Sequence, residues 1–242
     1  MTGISDIRTG KAVKVAGLTY ILVILFGVVK VNFLESSVIM GGDFDPASNI
    51  SANELMFRMG IVTETFMFIL VIILSLALYI ILKPVDKNLA LSGLIFRFGE
   101  AVVGVMVTIL SGIIPLLLLD SGPIFQNAQI QALVKLFLNV RIAGLNIVLV
   151  FIGLGGSVFC FLFYISRLVP RILAAWGIFT YASMLMLGFL NILLPARPDV
   201  IEVVLFSFGA LFEVMFGIWL LFKGVNVEKW NRLANKATGL PT

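Results

Sequence analysis

The 242-residue chain is 60% hydrophobic and only 12% charged, with a mean hydropathy of +1.13, so it lacks the polar shell that a water-soluble globule of this size requires. Its net charge of +4 comes from lysines and arginines scattered among the ends of apolar segments, with no basic stripe, and implies no nucleic-acid partner. The absence of histidine removes the commonest metal ligand and general base, and the single Cys160 can build neither a disulfide framework nor a thiolate cluster.

Crossing about 30 Å of hydrocarbon at about 1.5 Å per residue takes about 20 apolar residues. Six stretches qualify, at 15–31, 55–82, 89–119, 132–165, 172–194 and 200–222. The predicted fold class is all-α, a polytopic transmembrane helical bundle forming a single integral membrane domain over residues 1–242. Arg8, Lys11 and Lys14 precede the first stretch, but no small-residue cleavage site follows and Lys30 closes it, so it reads as a retained helix and not a secretory signal. Asp120, Ser121, Gly122 and Pro123 break the chain after the third stretch. Pro195 and Pro198 close the fifth, and Lys223 and Gly224 the sixth.

Basic residues are retained on the cytoplasmic side during insertion. One set of ends holds Arg8, Lys11, Lys14, Lys83, Lys87, Arg167, Arg171, Lys223, Lys229, Arg232 and Lys236, whereas the opposite loops hold only Arg197 beside Glu35, Asp43, Asp45, Asp120 and Asp199. Both termini are therefore expected in the cytoplasm, with the chain in the cell's cytoplasmic (inner) membrane.

The longest loop, 34–53, carries two helix-start signatures, Asp45 before Pro46 and the capping box Ser51-Ala-Asn-Glu54. Part of it is expected to form a short surface helix. Asn49-Ile-Ser51 also matches a glycosylation acceptor, but capping accounts for the same residues. Beyond the sixth span, Val227, Trp230, Leu233 and Ala237 share one helical face, and Glu228, Lys229, Arg232 and Lys236 share the other. Residues 226–238 thus read as a short interfacial helix, without which the six spans are expected to fold. Membrane anchoring at one boundary suffices to explain Trp176, Trp219 and Trp230.

Ionisable residues inside the spans are the candidates for function, because a charge at mid-bilayer costs at least about 2.5–3.5 kcal/mol and needs a partner or water. They are Glu64, Arg97, Glu100, Arg141 and Glu213, with Arg58 nearer the outer end of its helix and Asn146 near the middle of the fourth span. Counting Arg58, three acids face three bases. Arg97 and Glu100, three apart, share a face. These seven residues are expected to converge on one interior polar seam through the second, third, fourth and sixth helices, with Arg97 paired to Glu64 or Glu100. The seam is either an ion-pair lock for packing or the lining of a ligand or ion site.

Gly153, Gly155, Gly156 and Ser157 let a neighbouring backbone approach the fourth span closely. Pro115 deprives the Ser111 carbonyl of its donor and predicts a kink near Ser111 and Gly112. The similarity of Phe57-Arg58-Met59-Gly60 to Phe96-Arg97-Phe98-Gly99 is too short to establish an inverted repeat.

Taken in order, Lys14-Val-Ala-Gly-Leu-Thr-Tyr20, Leu55-Met-Phe-Arg-Met-Gly60, Leu82-Lys-Pro-Val-Asp-Lys-Asn-Leu-Ala90 with Phe96, Arg97 and Glu100, Val169-Pro-Arg-Ile-Leu173, and Glu213 with Trp219-Leu-Leu-Phe-Lys-Gly-Val225 give the chain its likeness to a family. Over nearly its whole length it resembles the bacterial six-helix membrane proteins grouped as domain of unknown function 4386. The resemblance implies six helices, directs attention to Arg58, Arg97, Glu100 and Glu213, and carries no activity with it. Where relatives often place a histidine in the fourth helix, this chain has Gly155.

Subtraction then limits enzyme chemistry. Without histidine, neither a serine-protease base, a histidine-ligated metal centre nor a haem axial histidine can be assembled. Every aspartate falls in a loop or tail, which excludes an intramembrane aspartyl dyad, and Lys30 and Lys135 lie near the outer ends of their spans. No catalytic residue, metal or cofactor is assigned. Two classes remain. One is a bundle that binds or transports a small molecule, lipid or proton, with Glu64, Glu100 or Glu213 carrying the proton. The other is a structural or accessory subunit that docks a membrane-protein partner or a second copy of itself. The balance tips slightly toward a binder.

Overall fold

The computed structural model describes residues 2–35, 45–194 and 200–238. Asp43, Pro195, Arg197, Pro198 and Asp199 lie outside these residues. The first span is α1 (Thr2–Lys30), prolonged by a π-helical turn (Val31–Glu35). After the short α2 (Pro46–Ala52) comes the second span, α3 (Glu54–Leu82). The third consists of α4 (Lys87–Thr108), a π-helical turn (Ile109–Ile113) and α5 (Ile114–Leu119). Then follow α6 (Asn127–Ser166), α7 (Arg171–Leu193), α8 (Val200–Phe222) and α9 (Val227–Thr238). Six of these segments are long and apolar enough to cross a membrane, and the chain is a multi-pass membrane protein.

Local chemistry sets the helix ends. The Asp86 carboxylate accepts hydrogen bonds from the N–H groups of Asn88 and Leu89, opening α4. Gln126 and Gln129 form a reciprocal capping box at α6. Gly224 takes φ +67° beyond α8, where its N–H donates to the Trp219 carbonyl. At α2, Asp45 is the cap, and its carboxyl is held below the usual carboxylate range chiefly by the Ser48 hydroxyl. The predicted box at Ser51 does not form. Because α2 runs on to Ala52, the Ser51 hydroxyl turns back to the Ala47 carbonyl, and Asn53, which precedes α3, makes no side-chain cap.

The irregularity expected at Pro115 is a π turn. The Ile114 N–H donates to the carbonyl of Ile109, five residues back, so one extra residue absorbs the hydrogen bond that proline cannot make.

Consecutive spans pack side by side, and α8 returns to α1, closing a ring in sequence order. Six crossings leave both termini at one end, the terminal face; the other end is the distal face. The close approach of α1 to α8 at Gly17 and Gly217 lies in the terminal half. A Cβ on Gly17 would stand 2.8 Å from the Gly217 carbonyl, so only glycine permits this crossing. Tyr20, Phe163, Tyr181, Phe212 and Phe216 stack edge to face nearby. Toward the distal face both helices are less buried: α1 has no buried residue between Tyr20 and Leu34, and α8 none before Gly209.

The C-terminal helix is amphipathic, but it is also docked. Trp230 is buried, and its indole N–H donates at 2.9 Å to the carbonyl of Ile81, in the last turn of α3. Val85, which would normally serve that carbonyl, donates instead to Leu82. Anchoring in lipid therefore does not by itself account for Trp230, which ties the otherwise exposed or half-buried α9 to the packed core.

Candidate functional site

The ionisable residues separate into two groups and a surface outlier. In the distal half, Arg141 of α6 grips Glu64 of α3 with both guanidinium branches, Nη1–Oε2 at 2.9 Å and Nη2–Oε1 at 2.8 Å. The Thr108 hydroxyl donates to the same Glu64 Oε2 at 2.8 Å, and Lys30 Nζ lies 3.4 Å from Oε1. The Glu64 side chain is only 1% exposed, so the bidentate fork provides the strong hydrogen bonds that make burial tolerable. Glu35 sits 3.8 Å from Lys30 and 4.0 Å from Arg141.

In the terminal half, Arg97 Nη1 stands 2.7 Å from Glu100 Oε2, an ion pair out of line for a hydrogen bond. Glu213 of α8 accepts a hydrogen bond from the Tyr181 hydroxyl at 2.8 Å, and that hydroxyl lies 3.4 Å from the Tyr20 hydroxyl. Glu213 is within Coulombic range of both Arg97 and Glu100, and Cys160 borders the group.

The single seam is thus divided. Thr108, beside Glu64, and Arg97 are eleven residues apart in α4, about 16 Å at about 1.5 Å per residue. Glu64 is not the partner of Arg97. Arg58 leaves the set altogether: near the start of α3 it reaches back four residues to Glu54 at 2.6 Å and out to Asp120 at 3.7 Å, and its side chain is 48% exposed. Its environment differs from that of the buried Arg97, which gives the two similar tetrapeptides no common role. Asn146 joins neither group and accepts a hydrogen bond from Asn191 of α7 at 2.8 Å.

Lys30 and Glu35 were missed because they stand at the end of an apolar run, where side chains ordinarily reach water. The π turn carries the chain inward over α3, and Leu34 settles on Gly60, where a Cβ would come within 2.6 Å of it. Of the α6 glycines, Gly153 and Gly156 admit Leu185 and Tyr181 of α7. Gly155 instead accommodates Arg97, whose Cγ would lie 2.6 Å from an added Cβ.

A cavity of about 1060 Å³ connects the two groups. Its walls are mainly apolar, including Phe68, Leu138, Leu145, Val148 and Ile152, and Lys30, Ser111, Arg141, Asn146 and Asn191 interrupt them. Glu100, eleven residues further from the distal face than Ser111, lies at the inner end of its lining. Glu202 and Phe206, from the sparsely buried part of α8, line it near the distal face. Among the described residues no three cysteine or carboxylate side chains gather as a metal site would need.

The profile of the family described as domain of unknown function (DUF4386) matches residues 15–224. The chain belongs to this family. No curated protein and no solved structure matches it. The DUF4386 match takes in all six spans and both charged groups, and it stops at Gly224, before α9.

Proposed function

We propose that this DUF4386 protein is a membrane-embedded binder of an amphiphile, a lipid or a small molecule with one polar end, held in the cavity inside the ring. The observation that carries the reading is the cavity itself. At about 1060 Å³ it matches the upper range of small-molecule sites, and it sets an apolar wall against a few fixed polar groups. The sparse burial of the distal half of α1 and α8 supports loading from the bilayer, because an apolar tail could slide in there without crossing water. Basic residues at the terminal-face ends support an orientation in the cell membrane with that face in the cytoplasm. Labelling from outside intact cells should then modify a cysteine at Asp43 and spare one at Lys87; the reverse pattern overturns the orientation.

A second reading has its own support. The Glu64–Arg141 and Arg97–Glu100 contacts are direct, as a packing lock in a structural or accessory subunit would have them. Native mass spectrometry of protein released from nanodiscs separates the two. The binder retains an amphiphile, and Leu145→Trp, which fills the cavity wall, abolishes that retention while the protein stays folded. Equal retention in both forms, or in neither, leaves the lock.

A further inference from the structure

The two charged groups are not balanced alike. In the distal group Lys30 and Arg141 face Glu64 and Glu35, two charges of each sign. In the terminal group one guanidinium, Arg97, faces two carboxylates, Glu100 and Glu213. The other groups around it are the hydroxyls of Tyr20 on α1 and Tyr181 on α7 and the thiol of Cys160 on α6, all buried and none a cation. No titratable side chain of α3 takes part. An uncompensated charge inside an apolar bundle costs several kcal/mol, so the group is one positive charge short of the state its surroundings favour.

Two observations make this a site and not only a deficit. Glu100 lines the floor of the cavity, although its residue is 2% exposed, and its Oε2 is held only by the ion pair with Arg97 at 2.7 Å and accepts no hydrogen bond. Glu213, by contrast, is fastened by Tyr181. Glu213 is held by a hydroxyl away from the cavity lining, whereas Glu100, held by Arg97 alone, borders the space in which a ligand would lie.

We propose that Arg97, Glu100 and Glu213 form a cation-exchange site at the floor of the cavity, occupied by one proton when the cavity is empty and by the cationic head of a lipophilic ligand when it is full. The proton belongs to the pair of carboxylates and not to either one alone. When a permanent cation arrives beside Glu100, the proton leaves through the cavity to water and the total charge of the group is unchanged. The assignment rests on the amphiphile reading and adds the sign of the head group. By linkage, a cation that displaces one proton binds about tenfold tighter for each unit rise in pH while the site is still loaded with the proton.

The test uses the full chain in phosphatidylcholine nanodiscs, with empty nanodiscs subtracted, and two probes of equal size and opposite charge, tetraphenylphosphonium and tetraphenylborate. Calorimetric titration in buffers of different ionisation enthalpy should show the phosphonium binding with release of about one proton, the tenfold pH slope, and no matching site for the borate. Glu100→Gln and Glu213→Gln, each leaving one carboxylate for one guanidinium, should both lose the proton release. Should either variant fail to fold, the wild-type probe pair and its pH slope still decide. Phosphonium binding without proton release, equal binding of the two probes, or no phosphonium binding overturns the exchange site. Equal, proton-independent binding of both probes leaves the amphiphile reading standing; only a cavity that retains no amphiphile of any charge removes that reading too.

Discussion

Changing Arg141 to leucine tests the assignment of charge partners. Glu64 would lose two hydrogen bonds of 2.8–2.9 Å and keep only Thr108 at 2.8 Å and Lys30 at 3.4 Å. A buried carboxylate left without its main partner costs about 3–5 kcal/mol, whereas replacing both partners with apolar residues is close to neutral. Lys30 tolerates the double change because its side chain is 13% exposed and Glu35 stands 3.8 Å away. At about 2–4 °C per kcal/mol, Arg141→Leu should lower the midpoint of thermal unfolding by on the order of 10 °C in detergent, with Arg141→Leu/Glu64→Leu recovering most of it. Arg97→Leu/Glu64→Leu should show no such recovery, because the two sites lie far enough apart for their effects to add. If Glu64→Leu rescued Arg97→Leu and left Arg141→Leu unrescued, the division into two groups would be wrong.

Trp230→Ala should cost about 3–5 kcal/mol and free α9 to proteolysis, while Trp230→Phe, which loses chiefly the bond to Ile81, should cost about 1 kcal/mol; equal stability of all three proteins would mean that α9 merely lies on the membrane. Gly155→Ala forces a Cβ against Arg97 and should cost about 1–3 kcal/mol in thermal unfolding. Gly10→Ala, where a Cβ meets nothing, should leave the midpoint unchanged. A neutral Gly155→Ala would show that Arg97 does not occupy the space this glycine leaves.

Hydropathy is a property of consecutive residues, so the chain by itself determined six spans, the break at 120–123, and the amphipathic character of α9. Asp45 before Pro46 and Gly224 after α8 were legible for the same reason, since a cap bonds to backbone only a few positions away. The need of each buried ion for a partner was equally plain, but the identity of that partner was not. Pairing across helices depends on the rotation and depth of each helix, which the closure of the ring sets. The same run of rotations put Glu64 with Arg141 and left Arg58 at the surface. The π turn after Lys30 brought Lys30 and Glu35 to the distal group, and no local pattern announces it. Tyr181 reached Glu213, and Trp230 the Ile81 carbonyl, across 32 and 149 residues of chain. The cavity likewise has no counterpart in the sequence, because it is the volume left where six packed helices fail to meet, and only their tertiary arrangement decides where that is.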